Sequence, residues 1–121
     1  MTIQLKRVYD PAADEDGERI LIDRIWPRGL TKEKARLTSW MKEVAPSPEL
    51  RTWFGHRPER FEAFKARYES ELSGAEVQPL LEKIRSSSAS GKVTLLYAAK
   101  DRQHNHAIVL KAYLEEQEEK P

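Results

Sequence analysis

The chain has no cysteine. That excludes disulfides, thiolate nucleophiles and zinc–thiolate centres, and a reducing compartment fits. No apolar run approaches the roughly 20 residues that span a bilayer. The start, M-T-I-Q-L-K-R-V, lacks the apolar stretch of a secretory leader. Charge of one sign is missing as well: 21 Lys and Arg face 20 Asp and Glu, a net of +1. General nucleic-acid and membrane binders usually carry a strong basic excess, so this balance leaves room only for a local basic patch. There is no G-x-G-x-x-G, no Walker loop and no G-x-S-x-G turn. No cofactor is therefore expected, and no Ser/His/Asp arrangement is readable. A soluble, cytoplasmic protein without membrane association is the expectation.

What is present is enough for one globular domain spanning residues 1–121. A chain of 121 residues buries roughly two-thirds of the surface exposed by its unfolded form. Hydrophobic residues make up 39% and charged residues 34%, so the core is modest and the surface ionic. Three Trp, four Tyr and three Phe supply much of the core volume.

Strands are expected at about residues 2–9, 19–26 and 93–98. The first stops at Asp10-Pro11 and is followed by an acidic loop. In the second, Ile20, Ile22 and Arg24 share one face and Leu21, Asp23 and Ile25 the other. Apolar residues on both faces predict a strand covered on both sides. Thr31 reads as a helix cap, and Leu37, Trp40, Met41 and Val44 form an amphipathic stripe ended by Pro46. Ser47-Pro48 restarts a short helix through Trp53 and Phe54 to Gly55. Pro58 opens a helix that lines up Phe61, Phe64, Tyr68 and Leu72 and ends near Gly74. Another helix lies near Gln78–Ser86, then a Ser-rich loop to Gly91. Asp101 caps the last helix, and residues 115–121 form a charged tail. Helices between the later strands satisfy a parallel crossover. The expected architecture is α/β, a small mainly parallel sheet of about three strands covered by about five helices; the direction of the first strand stays open.

The most informative segment is Leu21–Leu30, L-I-D-R-I-W-P-R-G-L. An apolar strand carries an adjacent acid and base, then Trp-Pro and Arg-Gly at a turn. In open α/β sheets ligands collect at the carboxyl ends of parallel strands. One such end carries Trp26, Arg28 and Gly29. The other carries Tyr97, Lys100 and Asp101, followed by a helix N-terminus suited to a phosphate or carboxylate. If the two ends are neighbours, Arg28, Lys100 and that terminus converge on one anion, Arg binding its oxygens bidentately. Asp23 and Arg24, successive in a strand, point to opposite faces. Asp23 needs another partner, and Arg7 is a candidate; a structural ion pair competes with a catalytic role. In His104-Asn105-His106 the two histidines diverge on a helix, which makes a poor metal site; one of them can serve as acid or base. No metal is expected. Trp53-Phe54-Gly55-His56 is core packing or a stacking platform for a flat ligand.

Four blocks resemble the YeaO-like bacterial proteins, a branch of the DUF488 family of unknown function: K-R-V-Y-D-P (Lys6–Pro11), L-I-D-R-I-W-P-R-G-L, A-P-S-P-E-L-R-T-W-F-G-H (Ala45–His56) and V-T-L-L-Y-A-A-K-D (Val93–Asp101). They occur in family order and cover nearly the whole chain. The resemblance implies a small cytoplasmic α/β protein with no established activity. Some members carry a uroporphyrin methyltransferase label, which a chain without a glycine-rich cofactor loop does not support. More distant branches have a Cys near the end of the last strand and a Cys-His-Arg in the following helix. This chain has Tyr97 at the first place and His104-Asn105-His106 around the second, so a thiol role does not transfer. The location does, and Arg7, Asp23, Arg24, Trp26, Arg28, Tyr97, Lys100, Asp101 and His104 are expected to line it.

The first reading is a protein that binds a small anionic, phosphate- or carboxylate-bearing ligand, a nucleotide-like one among the candidates. Arg28 and Lys100 hold the anion, and Asp23 or His104 would be acid or base of an unidentified reaction. Competing readings are a nucleic-acid module using Lys32, Lys34, Arg36, Arg24, Arg28 and Trp26, and a non-catalytic interaction protein with structural ion pairs, as monomer or homodimer.

Overall fold

The computed structural model describes residues 2–119. Four parallel strands form one sheet in the order β1-β4-β2-β3: β1 (Thr2–Arg7), β2 (Glu18–Leu21), β3 (Ser39–Trp40) and β4 (Lys92–Tyr97). The helices are α1 (Lys32–Ala35), α2 (Pro48–Phe54), α3 (Phe61–Leu72), α4 (Gln78–Ser90) and α5 (His106–Glu119). The small parallel sheet and five helices match the expected architecture, with four strands rather than three. The first strand is parallel to β4. Crossovers that return each strand in the same direction put every carboxyl end at one edge of the sheet.

Alternation divides the sheet into two faces. Ile3, Ile20, Ile22, Val93, Leu95 and Tyr97 face a core built with Phe64, Tyr68, Leu72, Leu81, Ile84, Leu110 and Leu114. Stacked rings run through it: Phe54–Phe64 centroids are 4.4 Å apart and Phe64–Tyr68 centroids 5.6 Å. The opposite face is covered mainly by loops. There Val8, Leu21 and Leu96 pack with Trp26, Leu30 and Leu37. Beside them the buried Asp16 carboxylate meets Lys6 Nζ at 3.1 Å and Arg19 at 2.5 Å. Both faces of β2 are covered, as its composition requires.

Several local expectations need correction. The 37–44 stripe is not one helix. Thr31 does cap α1, accepting from the Lys34 amide, but α1 ends after one turn at Arg36, which adopts left-handed φ of 45°. The chain then pairs with β2, the Thr38 amide donating to Arg19 O and the Met41 amide to Leu21 O. Open β2 edge carbonyls outcompete helix formation, since buried backbone groups need partners. Leu37 packs on the loop-covered face, while Met41 and Val44 join the main core.

The second strand ends at Leu21 instead of continuing to residue 26. Ile22 still donates to Leu96 O, and the Asp23 side chain then takes the Ala98 amide, so a carboxylate replaces the next backbone acceptor. Residues 86–90 belong to α4. Their serines sit in the helix with Ser88 buried, and the Ser88 and Ser90 hydroxyls are satisfied by carbonyls three or four residues back. Asp101 does not cap α5: it accepts from the Gln103 and His104 amides, and Asn105 caps the helix by accepting from Ile108. Helix α5 extends through Glu119, taking in residues 115–119 of the expected tail; residues 120–121 lie outside the described residues. Ser47 caps α2 with Pro48 at its first position, and Gly55 terminates it at φ 54°, as the local pattern requires.

Candidate functional site

Because β2 and β1 both flank β4 in parallel, the two strand ends singled out in the sequence are neighbours. Arg7 leaves β1 at this edge, Asp23 and Arg24 follow β2, and Ala98 to Asp101 follow β4. The structure therefore gathers the backbone of most expected site residues, but it engages their side chains with the chain itself.

Arg7 does not pair with Asp23. Its Nε donates to Ala99 O at 2.9 Å and its Nη2 to Ala98 O at 3.1 Å, while the guanidinium sits 5.1 Å over the Tyr9 ring. Two carbonyls that run past the end of β4 thereby gain a donor fork. Asp23 Oδ2 accepts the Ala98 amide at 3.0 Å. Its Oδ1 lies 3.0 Å from His106 Nε2, but Nε2 is equally 3.0 Å from Ile22 O and is aligned with that carbonyl. Oδ1 is thus buried without a full hydrogen bond. Arg24 turns away from Asp23 and donates to Ala45 O and Pro46 O at 3.1 and 3.3 Å.

Trp26 Nε1 donates to Leu30 O, closing the W-P-R-G turn, where Gly29 has φ 77°. The Trp26 ring meets Trp40 edge-on with centroids 5.4 Å apart. Tyr97 is buried at 3% exposure. Asp101 Oδ2 lies 3.0 Å from His104 Nδ1, and the His104 ring packs edge-on against Phe61. The Gln103 amide, opposed by partial desolvation and helped by His104, holds the Asp101 carboxyl below its ordinary range. Asp101 and Asn105 thereby fill part of the amide cradle expected for a ligand.

Arg28 and Lys100 remain. Both are exposed, and among the described residues neither forms an ion pair. They are linked through Tyr9: its hydroxyl donates to Arg28 O at 2.7 Å, and its ring lies under Arg7, which grips Ala99 next to Lys100.

His106 was not singled out for this edge. The available signal was Asn105, a favoured cap residue, which makes His106 the first helical residue and turns it toward β2. Beside it, Tyr68 is fully buried with its hydroxyl donating to Val44 O at 2.6 Å. Burial, with Glu71 and Asp23 nearby, pushes that hydroxyl well above its ordinary pKa, so it is a neutral donor. An adjoining cleft of about 320 Å³ is lined by Arg24, Tyr68 and Ser47 but also by Glu43, Glu71 and Glu76, an acidic rim unsuited to an anion. Among the described residues no three His, Asp or Glu side chains group to hold a metal ion, and no helix is long and apolar enough to cross a membrane.

Comparison with known proteins gives a family without a named activity. No solved structure matches the chain. The uncharacterized protein YeaO of Escherichia coli is 43% identical over 114 residues, covering 94% of this chain and 97% of its own. An uncharacterized protein of Mycobacterium tuberculosis is 42% identical over 108 residues, covering 89% of each. A family model described as the inactive DUF488-N3 subclade matches residues 2–121. With the model spanning all described residues and relatives matching nearly end to end, the chain belongs to the DUF488 family, in its YeaO-like branch.

Proposed function

We propose that this protein is a non-catalytic, cytoplasmic binding protein that takes a small phosphate- or carboxylate-bearing molecule at the carboxyl edge of its sheet. Arg28 and Lys100 supply the anion contacts. The observation that carries the reading is the division of labour at this edge: Arg7, Arg24, Asp23 and Asp101 are occupied with backbone groups, while Arg28 and Lys100 have no partner among the described residues. Catalysis requires groups free to contact reacting atoms. Here Asp23 serves the Ala98 amide, His104 serves Asp101, and the chain carries no thiol. The subclade's description as inactive supports the same conclusion.

A thermal-shift screen with phosphate, nucleotides and organic acids tests it. A ligand at ten times its Kd adds about 1.4 kcal/mol, which raises Tm by about 5 °C for a chain of this size. Arg28→Ala and Lys100→Ala should each abolish the shift without lowering the ligand-free Tm. A shift that survives both substitutions removes this edge as the site.

A second reading has one observation in its favour: Ile25, Tyr9 and Trp40 are exposed by 57%, 43% and 36% at the same end of the molecule. Such a patch fits a homodimer contact. Sedimentation of wild type against Ile25→Asp decides it, since a dimer built there dissociates in the variant.

A further inference from the structure

A second charged surface lies on α2, the Pro58–Arg60 turn and α3, beside Phe61, whose ring meets His104. From Arg51 to Arg67 the chain carries five Lys or Arg against two Glu, a local surplus of three in a chain whose net charge is +1. At its centre is Trp53. The Arg67 guanidinium carbon lies 4.1 Å from the indole centroid and that of Arg60 lies 5.1 Å from it. Arg60 also donates to Trp53 O, and the Arg60 amide donates to Arg57 O at 2.9 Å, which sets Arg57 one turn away. Among the described residues Arg57, Arg60 and Arg67 form no ion pair, although the chain has 20 acids.

A guanidinium stacked on an aromatic ring keeps its in-plane N–H groups free and pre-aimed, which suits a phosphate fork. Its outer face remains a plane on which a base can stack. Arg57, Arg60 and Arg67 are spread over the 57–60 turn and α3, a spacing that fits an extended, strand-like ligand with successive phosphates. We propose that the Arg57–Arg60–Trp53–Arg67 surface binds single-stranded nucleic acid, the arginines contacting phosphates and the stacked Arg67 plane receiving a base. This surface uses none of the residues assigned to the Arg28–Lys100 site, and its sequence region is expected only as core or a stacking platform.

The test is fluorescence anisotropy of the full chain with a labelled single-stranded RNA of about 12 nucleotides, long enough for one such site, between about 50 and 200 mM salt. Wild type should bind with steep salt dependence. Arg60→Gln combined with Arg67→Gln should weaken binding at least tenfold and reduce the salt slope by about 1.4, roughly 0.7 for each lost phosphate contact. Arg67→Gln alone, which spares the Arg60–Trp53 bond, should show half of the slope change. Lys83→Gln, on exposed α4 surface, should change neither quantity by more than twofold. Melting curves confirm that each variant is folded. No RNA binding at the lowest salt overturns the proposal, as do unchanged slopes in folded arginine variants. So does equal binding of a labelled poly-glutamate peptide, which would assign the surface to an acidic protein partner.

Discussion

Replacing Asp23 by Ala tests whether the acid of the L-I-D-R block holds the fold together. In the wild type its Oδ2 is the acceptor of the Ala98 amide at 3.0 Å, and the side chain is only 16% exposed. Truncation leaves that amide unpartnered at the end of the central strand. An orphaned buried donor costs about 1–3 kcal/mol, and hydrogen bonds to charged groups lie at the upper end, so a loss of about 2–3 kcal/mol is expected. Unfolding entropy of about 2.1 cal/mol/K per residue converts this to a Tm about 8–12 °C lower. Asp23→Asn keeps an oxygen toward Ala98 and should lose less than half as much. Because His106 Nε2 is aligned with Ile22 O rather than with Oδ1, a cycle combining Asp23→Ala with His106→Ala should give a coupling below about 0.5 kcal/mol, near additivity. A cycle with Arg7→Ala probes the shared closure at Ala98, and its coupling should exceed about 0.5 kcal/mol because both side chains hold that one residue. Urea and thermal unfolding followed by circular dichroism measure all of these. A Tm within about 2 °C of wild type for Asp23→Ala would refute the structural role, as about 0.5 kcal/mol is the range of a surface change.

Three further predictions concern Asp16 and its neighbour Gly17. Asp16→Ala strands the Arg19 guanidinium, buried at 4% exposure, and should cost about 3–5 kcal/mol, the range for breaking a buried pair. Burial pushes the Asp16 carboxyl up, but the Ala13 amide, Lys6 and Arg19 together hold it below its ordinary value. Its stabilisation is therefore complete above the unfolded pKa of about 3.9 and is lost as pH falls through the lower folded value; a denaturation series from pH 6 to 2 should flatten in Asp16→Asn relative to wild type. Gly17 has φ 66°, and a Cβ there would stand 2.1 Å from Lys92 O. Gly17→Ala should cost more than about 3 kcal/mol, combining a glycine-only conformation with a backbone clash, and an unfolding curve within 1 kcal/mol of wild type would contradict it.

Period and punctuation made much of the architecture legible. The apolar run at Val93–Ala98 and the two-faced apolar stretch around Ile20–Ile22 located the central strands, and Ser47-Pro48 and Gly55 bounded α2. Illegible parts were those decided by distant backbone partners. Leu37, Met41 and Val44 have helical spacing, yet the open edge of β2 takes the Thr38 and Met41 amides. The serines after Arg85 read as a loop because nothing local shows that their hydroxyls will bond back along the helix. At the site, parallel strand order makes the two ends neighbours, as the crossover argument allowed. Which charge meets which was not legible, since guanidinium donors found carbonyls past the strand ends instead of the nearest acid: Arg7 at Ala98 and Ala99, Arg24 at Ala45 and Pro46.

That use of arginine bears on how a parallel sheet closes the edge where its strands stop. A parallel sheet leaves unpaired carbonyls and amides where its strands stop, and burying them unpartnered is expensive. In this chain Arg7 and Asp23 satisfy the end of β4 from its two neighbouring strands, one by donating and one by accepting. A side chain so employed cannot move to a reacting atom without reopening the strand end. A catalyst on this frame would need another group to close the β4 terminus and a nucleophile projecting there; the chain places only methyl groups, Ala98 and Ala99, directly after Tyr97. The charges that identify the edge in the sequence are therefore largely the scaffold's own closure, and Arg28 and Lys100 stand apart from it, since among the described residues neither side chain holds a backbone group.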